Sequence, residues 1–596
     1  MTIYDALRKI DTNRFVLLGS NIFEIDTESL DSQSDKKLYT LIKNICSLHV
    51  EISIDAVEFQ PSIIMGENRS FGIQDMAETD FDLLESIDLE KLPVNIRARI
   101  ADLLWQKRKN HKASLVAIDA YLEMFNLLYS DDDWFDCIDM IHRVLCLSTQ
   151  VNQKEKRHEA CEVLYKHIIR IYASDDSFLS IRLLEIVIRE KYGNPDDLIS
   201  ILDQVIQNSF LNVRKAEEAY TLRANCFKWK KDSAGVLTSN ILLAQYYEEK
   251  AHELDLKDFH AIATAEQFLK KAIFLYRDNQ KPKEAERLGK QLVQVQSKLP
   301  QVMDSIQQRY DVSALQEYIE ECFDGLSFQE ALLRLAQFTL FRKKKDVKKS
   351  LLKGGMFPYF FSSVVTNTAG QTILNLKPLS IQHPESDLAL LDQHIHRHLS
   401  TLENEDGDLF LFRAISIIRK KYTFQVDDLD FLIENNYLIP TGRGNIIKHA
   451  IFMSLTGNEY EAIHILAPQI ENLFRNLATE LGALTVTLEA DGTSKSKALT
   501  SVFDLPELVK SYDNDILFLF KGLLNDPAGA NIRNVVAHGQ LAEASAKSGV
   551  CIYFFCAIIR LLSYSSRKCR ELYVNNPKLL KIKKPKNNIT PKPIKN

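Results

Sequence analysis

Glycine and proline are scarce in this chain, which has 20 glycines and 16 prolines among 596 residues. Both residues interrupt helices, so their scarcity beside abundant leucine, isoleucine, lysine and glutamate favours helix over sheet. The hydrophobic share of 45% and the charged share of 26% are those of a globular protein. A chain of this length exceeds one ordinary core, and we expect about two to four domains.

Paired cysteines, membrane-length apolar runs and common catalytic motifs are also missing. The nine cysteines are odd in number and scattered, without a C-x-x-C pair or histidines at zinc spacing. The longest apolar stretch, 550–559, is too short to span a bilayer, and no signal peptide is evident. P-loop, H-E-x-x-H and G-x-S-x-G motifs are not found. We therefore expect a soluble cytoplasmic protein with reduced thiols, no metal, no cofactor and no membrane contact.

Acidic charge is concentrated at the N-terminus. The net charge is −6, and residues 1–90 hold eighteen acidic and seven basic side chains, a balance of −11, so the other 506 residues sum to +5. Bulk charge therefore does not indicate a nucleic-acid-binding protein, and such binding would need a local basic surface. We treat 1–90 as an acidic N-terminal region.

Residues 91–342 carry the apolar spacing of paired amphipathic helices. From about Asn95, apolar residues recur at three- and four-residue steps. The segments 101–124 and 263–293 have the pattern of helix-turn-helix units, the second with a turn at Gln280-Lys281-Pro282. No strict repeat period is present. The pattern predicts a degenerate α-solenoid, with an irregular helical domain as the alternative.

Residues 343–386 are predicted to be a basic linker. The helical pattern fades from Lys343, and strand-forming residues then flank a turn at Ala369-Gly370, so we expect a small β-hairpin. The lysine run before the hairpin could touch RNA, although such a run is more often a solvated face. Residues 387–570 are helical again, and the lysine- and proline-rich tail, 571–596, is predicted to be disordered.

The clearest helix of the C-terminal region is expected over 461–481. One wide face of this helix is apolar, and Pro468 lies inside it, where we expect a kink or a break. His464, Glu471 and Arg475 align on another face, because four and seven residues bring a helix back to within about 40° and 20°. This row is either a surface ion-pair row or part of a site.

A second helix, about 541–563, is apolar nearly all round in its second half and should be buried within a bundle or against a second subunit. Shortly before it stands the string Arg533-Asn534-Val535-Val536-Ala537-His538-Gly539. Asn531 could cap a helix here, and Gly539 supplies flexible backbone. In an ideal helix Arg533 and His538 point about 140° apart, so the pair must straddle a helix start or an irregular turn to meet at one phosphate.

Arginine and histidine together can cleave RNA without a metal. The RNA 2′-hydroxyl attacks the adjacent phosphorus, which gives a 2′,3′-cyclic phosphate and a free 5′-hydroxyl. A histidine such as His538 suits proton transfer near neutrality, and Arg533 can hold the phosphate and its developing charge. Asn534 could orient the histidine or bind a phosphate oxygen. One histidine cannot easily be both base and acid, which favours a symmetric dimer; a structural Arg/His pair at a helix junction is the alternative.

This string resembles the signature of a domain-of-unknown-function family in the HEPN (higher eukaryotes and prokaryotes nucleotide-binding) clan, whose hallmark is an arginine and a histidine a few residues apart. The resemblance extends upstream. Pro440-Thr441-Gly442-Arg443 resembles the family's proline-arginine turn, and His464-Ile465-Leu466-Ala467-Pro468-Gln469-Ile470-Glu471 with Arg475 resembles its L-x-P-Q-I-E-x-x-x-R helix. The resemblance covers about 423–570. One departure is Asn458, which stands where an aspartate is common in the family.

The resemblance implies a C-terminal HEPN-like helical bundle that forms a homodimer and cleaves tRNA or mRNA without a metal. Many members of the clan act in prokaryotic antiviral defence, as abortive-infection effectors or as toxins, and the resemblance implies such a role here. The implied catalytic residues are Arg533, Asn534 and His538, with Asn531, Gly539, Glu471, Arg475 and His464 in support and Arg443 as an RNA-binding residue. The N-terminal helices would bind a protein trigger or regulator. The alternative function is a catalytically inert dimeric interaction scaffold, since some clan members have lost activity.

Overall fold

A computed structural model of the chain describes residues 2–8, 27–52, 57–65, 68–128, 135–175, 177–207, 212–303, 310–381, 383–581 and 592–593. The protein is mainly α-helical, with 71% helix and 5% strand, which confirms the predicted class. Throughout the described residues, every sheet has two strands.

The N-terminal half consists mostly of consecutive helices. They are α1 (Ile3–Leu7), α2 (Gln33–Cys46), α3 (Glu78–Glu85), α4 (Val94–Arg108), α5 (His111–Leu128), α6 (Phe135–Gln150), α7 (Lys154–Ile171), α8 (Leu179–Arg189), α9 (Pro195–Gln207), α10 (Val213–Trp229), α11 (Ser233–His252), α12 (Phe259–Asp278), α13 (Pro282–Gln296) and α14 (Leu299–Val302). Two antiparallel hairpins lie between α2 and α3. They pair β1 (His49–Ile52) with β2 (Val57–Gln60), and β3 (Ile64–Met65) with β4 (Asn68–Arg69).

The C-terminal half is also helical. Its helices are α15 (Ser313–Cys322), α16 (Phe328–Phe338), α17 (Lys344–Lys353), α18 (Phe357–Phe360), α19 (Leu388–Asp406), α20 (Phe412–Lys421), α21 (Asp430–Ile433), α22 (Gly444–Leu455), α23 (Glu459–Glu480), α24 (Leu499–Phe503), α25 (Pro506–Ser511), α26 (Asn514–Leu524), α27 (Ile532–Ala537), α28 (Gly549–Ser565) and α29 (Arg567–Asn575). A π-helical turn, Gly407–Leu411, joins α19 to α20. The strands are β5 (Tyr310–Asp311), β6 (Ser363–Thr366), β7 (Thr372–Leu376), β8 (Val486–Leu488), β9 (Ser494–Ser496) and β10 (Lys592–Pro593), and they pair as β5 with β10, β6 with β7 and β8 with β9.

The chain divides into two compact units. The first is Met1–Leu254 with Thr264–Gln291, and the second is Asp255–Ala263 with Leu292–Asn596. Helices α15 and α16 therefore belong to the same unit as the C-terminal helices. The predicted boundaries after residues 90, 342, 386 and 570 describe a finer division and remain predictions.

In the first unit, helices that are consecutive in the chain pack on one another, from α4 on α5 to α7 on α8, and again from α9 to α11. Buried alanines allow close approach of α4 and α5, among them Ala101 and Ala117. The predicted turn at Gln280 is confirmed, because α12 ends at Asp278 and α13 begins at Pro282. Gln280 adopts a positive φ of 58°, which ends the helix before the turn.

The core of the second unit is built around α28. Every side chain from Cys551 to Ile559 is buried, and α28 packs against α16, α19 and α21 of the same chain. The predicted burial of this helix is therefore confirmed and occurs within one chain. Its predicted start near 541 is wrong, because Ser548 precedes the first helical residue and a separate turn, Ala544–Lys547, lies before it.

Two predictions for the linker and the tail need correction. The helical pattern does not fade at Lys343, because α17 begins at Lys344 and buries Val347 and Leu351. The predicted hairpin is confirmed as β6–β7, but β1–β2, β3–β4 and β8–β9 are strand pairs that were not predicted. The tail is ordered over 571–581, since the guanidinium of Arg334 donates to the backbone carbonyls of residues 578 and 581. The predicted disorder is wrong for this part, and 582–591 and 594–596 lie outside the described residues.

Pro468 does not break its helix. Helix α23 runs without interruption from Glu459 to Glu480, close to the predicted 461–481, although proline has no N–H to donate. The apolar face that holds it in place is buried at Leu466, Ile470 and Phe474. Packing of this face outweighs the missing hydrogen bond.

All nine cysteines are free, and eight of them are buried. Across the described parts of the chain, no helix combines the length and the apolar character needed to cross a membrane.

Candidate functional site

The R-N-x-x-x-H-G string forms a short helix of its own. Asn531 precedes α27 in a left-handed conformation, with φ of 54°, and α27 then spans Ile532–Ala537. His538 is the C-cap, and Gly539 follows with φ of 64°. Asn531 stands at the N-cap position, as predicted. Its side chain does not accept a hydrogen bond from the first helical N–H groups, so it does not cap the helix through its side chain. Arg533 and His538 thus lie at opposite ends of one helical turn and a half, not across a helix start.

Arg533 is held by an acidic side chain from a distant helix. Its Nε donates to Oε2 of Glu471 at 2.5 Å, and the Nη2 group of Arg475 donates to the other carboxylate oxygen, Oε1, at 2.7 Å. Arg475 Nη1 also donates to the backbone carbonyl of Lys497 at 2.8 Å. The Glu471 side chain is 13% exposed and that of Arg533 is 35% exposed, so the bridge is partly shielded and the guanidinium of Arg533 reaches solvent.

Asn534 extends this network within α27. Its Oδ1 accepts from Arg533 Nη1 at 3.2 Å, and its Nδ2 donates to Oδ1 of Asn531 at 2.7 Å. The two asparagines therefore fix one edge of the Arg533 guanidinium, while Glu471 fixes its Nε. In the described chain the Nη2 group of Arg533 has no partner, which leaves donors for an anion.

A cavity of about 340 Å³ lies beside this network. Its lining comprises Glu471, Arg475, Ser496, Lys497, Ala498, Leu499, Thr500, Asn525, Arg533 and Asn534. Three of these side chains are cationic and one is anionic, so the lining has a surplus of positive charge. A small polar cavity with this charge suits a phosphate group.

The predicted site residues do not all meet at this cavity. The structure brings together Arg533, Asn534, Asn531, Glu471 and Arg475. His538 is exposed at the end of α27 and does not line the cavity. Throughout the described residues, no hydrogen bond or ion pair holds its imidazole. It lies five positions after Arg533, which corresponds to about 7.5 Å along the helix axis.

His464 and Arg443 lie apart from the network. The Nδ1 atom of His464 is 2.8 Å from the backbone carbonyl of Tyr460, and its ring packs on the Tyr460 ring with centroids 4.4 Å apart. Arg443 is exposed at the start of α22, and within the described chain its side chain has no hydrogen bond or ion pair. Neither residue lines the cavity.

Residues 496–500 form a wall of the cavity that was not predicted from the sequence. This wall follows the β8–β9 hairpin, whose turn contains Asp491-Gly492, and Gly492 has a φ of 82°. An Asp-Gly pair between short strand-forming runs is a strong hairpin signal and could have predicted the turn. Nothing in the sequence indicates that the chain after this hairpin returns to Arg475.

Comparison with known families gives a match in the first unit. A family model described as "Domain of unknown function (DUF7380)" matches residues 17–160, and the match ends within α7. No curated protein matches the chain.

Proposed function

We propose that this protein is a metal-independent endoribonuclease whose site is built on Arg533 and His538. The observation that carries the proposal is the fixed guanidinium of Arg533, which Glu471 and Asn534 hold at the edge of a positively charged 340 Å³ cavity. Preorganised cationic donors stabilise charge that develops on a phosphate. The resemblance of α27 and of the Glu471–Arg475 segment to the HEPN clan supports the same conclusion.

The reaction is a transesterification with balanced proton transfer. A base removes the proton from the 2′-hydroxyl as its oxygen attacks phosphorus, and the P–O5′ bond breaks while an acid protonates the leaving oxygen. Arg533 and Arg475 stabilise the added negative charge on the phosphoryl oxygens. His538, exposed at the end of α27, supplies one proton transfer, and Asn534 keeps Arg533 in position.

A second copy of the chain supplies the other histidine in this proposal. The two copies form a homodimer through the C-terminal helices, and their α27 helices face one groove. The helices of the first unit, a degenerate α-solenoid, bind a protein trigger that regulates cleavage of tRNA or mRNA during antiviral defence. If each groove needs a histidine from both chains, only dimers of two wild-type chains are active. Mixing wild type with the His538→Ala variant should then lower the cleavage activity with the square of the wild-type fraction. A fall in activity in direct proportion to that fraction contradicts a groove shared by two chains.

An inert interaction scaffold is the second candidate. One observation favours it: among the described residues nothing orients the His538 imidazole, whereas catalytic histidines are usually oriented by a hydrogen-bond partner. In such a scaffold the Arg533–Glu471 pair is a structural connection between α23 and α27.

Expression in a host cell separates the two functions. Wild type, Arg533→Ala and His538→Ala are expressed, and total RNA and tRNA are examined for new 2′,3′-cyclic phosphate ends. We expect such ends with wild type and a loss of at least about a hundredfold in both variants, the magnitude of general acid–base catalysis.

The matched control is His449→Ala, which removes an exposed histidine on α22 outside the cavity. It should cleave as wild type does. Equal cleavage by all four proteins, or none by wild type, contradicts the proposal.

A further inference from the structure

A group of large apolar side chains follows α17 on the surface of the second unit. Met356 is 71% exposed, Phe357 63%, Phe360 55% and Phe361 58%. The rings of Phe357 and Phe361 stack on each other with centroids 5.2 Å apart. Exposed apolar patches of this kind mark binding surfaces, because folding alone would bury them.

Exposed lysines follow one face of the preceding helix. Lys345, Lys349 and Lys353 lie at four-residue steps of α17, so they form one stripe along it. All three are exposed, whereas Val347 and Leu351 are buried on the opposite face. Three lysines of the basic run therefore form an ordered row of positive charges on the surface of α17.

The other lysines of α17 are neutralised by acidic neighbours. Lys344 pairs with Asp392 at 2.7 Å, and Lys348 pairs with Glu385 at 2.6 Å. Over the described part of the chain, the three stripe lysines have no ion pair. Their charge is left for a partner outside the unit.

The start of α17 is connected to the helix that leads to the Arg533 cavity. The backbone N–H of Lys344 donates to Oδ1 of Asp515 at 2.8 Å, in the first turn of α26. Ten residues further on, Asn525 lines the cavity beside Arg533. That interval corresponds to about 15 Å of helix. About four or five stacked nucleotides, at about 3.4 Å each, span this distance.

We propose that the lysine–phenylalanine surface, formed by Lys345, Lys349, Lys353, Phe357, Phe360 and Phe361, binds single-stranded RNA and leads it to the Arg533 cavity. The delivery of RNA to the cavity rests on the proposed ribonuclease function, whereas the binding of RNA by this surface does not. Lysines along a groove contact the phosphates of a single strand, while aromatic rings stack on its unpaired bases. A duplex offers the same charge but no free base faces, so the surface discriminates against it.

Binding is measured by fluorescence anisotropy with a labelled 20-nucleotide oligouridine and a duplex of matched length. The full chain carries His538→Ala in every sample, so that cleavage does not remove the probe. The first test variant is Lys345→Gln/Lys349→Gln/Lys353→Gln. It should bind oligouridine at least tenfold more weakly, and the slope of log affinity against log salt should fall by about 2, because about 0.7 of a counterion is released per phosphate contact.

The second test variant is Phe357→Ser/Phe361→Ser, which also should bind at least tenfold more weakly because a stacked base is lost. Its salt slope should not change, since no charge is removed. The side chains are exposed, so both variants should fold, and their helix content is verified by circular dichroism.

Matched controls come from the same unit. Lys420→Gln/Lys510→Gln/Lys578→Gln removes the same charge from three exposed lysines elsewhere, and Phe412→Ala removes a phenylalanine that is 49% exposed. Both controls should bind oligouridine as the parent does. A loss in the control lysines equal to that in α17 would overturn the proposal, because it would show a nonspecific charge effect.

Retention of oligouridine binding in the α17 and phenylalanine variants would also overturn it. If these variants keep oligouridine binding but lose dimerisation, or lose binding to vesicles with 30% phosphatidylserine, the surface serves a second copy of the chain or a membrane and not RNA. If wild type cleaves no RNA but the two variants lose oligouridine binding, the surface proposal stands and the ribonuclease proposal fails.

Discussion

Glu471 places one negative charge between two arginines, Arg533 and Arg475. Replacing it by glutamine keeps the shape but removes the charge that positions Arg533. We expect Glu471→Gln to lower RNA cleavage at least about tenfold, because a misplaced cation no longer meets the phosphate. We also expect the free energy of unfolding in urea to fall by about 2 kcal/mol, since a partly buried ion pair is broken.

Glu461→Gln is the matched control, because it removes an exposed acid from the first turn of the same helix. It should change neither cleavage nor stability by more than about 0.5 kcal/mol. Full cleavage by Glu471→Gln would show that Arg533 needs no positioning by this carboxylate.

His396 is a buried histidine that should make stability depend on pH. It is 3% exposed and its ring stacks on Phe518. Burial, with the nearby charges of Lys521 and Lys344, lowers its pKa from 6.5 to about 3. Below pH 6.5 the unfolded chain takes up a proton that the folded chain refuses until about pH 3. Stability contributed by this group is therefore present above pH 6.5 and is lost as the pH falls.

The expected loss is about 2 kcal/mol between pH 7 and pH 5, at up to about 1.4 kcal/mol per pH unit. His396→Phe should remove this part of the pH dependence of urea unfolding, and the exposed His449→Phe should keep it. An unchanged pH profile in His396→Phe would contradict the burial of an uncharged imidazole.

The pairing of Arg533 with Glu471 could be predicted only in part. The sequence spacing places Glu471 and Arg475 on one helix face, and the structure confirms that alignment. The contact between Arg533 and Glu471 joins residues 62 positions apart, and it depends on the packing of α27 against α23. Local periodicity in the sequence cannot predict a contact between residues so far apart. For the same reason it could not predict that residues 496–500 form a wall of the cavity.

Helices with one apolar face were predicted closely. The observed α23 differs from the prediction by two residues at its start and one at its end, because one face of Leu466, Ile470 and Phe474 fixes it. The start of α28 was predicted eight residues early, because the helix-forming residues after Leu541 belong to a separate turn, Ala544–Lys547, that precedes the helix. A helix after Asn531 was indicated by that residue, but the extent of the six-residue α27 was not predicted, because it is too short for any period to show.

The join between α19 and α28 depends on two glycines. A Cβ on Gly407, in the π-helical turn, would collide with the backbone carbonyl of Gly549 at the start of α28. We expect Gly407→Ala to destabilise the second unit by about 3 kcal/mol in urea unfolding, since backbone must move to admit the methyl group.

Gly289→Ala provides the opposite case. This glycine lies within α13, and a Cβ there would meet no atom within 4 Å. We expect the alanine variant to gain about 0.5–1 kcal/mol from helix propensity. Equal stability of Gly407→Ala and wild type would show that α19 and α28 do not approach as closely as described.

The two units differ in what the sequence reveals about them. The first carries the paired helices that the apolar spacing predicts, and it contains the match to a domain of unknown function. The second carries the Arg533 cavity and the lysine–phenylalanine surface within a single compact unit. We propose that the first unit regulates the protein and that the second unit cleaves RNA. Substitutions in the second unit should therefore abolish cleavage while the protein stays folded.

Cleavage of RNA by the purified chain in EDTA tests whether Arg533 and His538 form a metal-independent ribonuclease site. Wild type, His538→Ala and His449→Ala are incubated with a labelled single-stranded RNA, and the product ends are identified. We expect 2′,3′-cyclic phosphate ends with wild type and His449→Ala, undiminished by the chelator, and none with His538→Ala. Cleavage that persists in His538→Ala, or that the chelator abolishes in wild type, would contradict the proposed function.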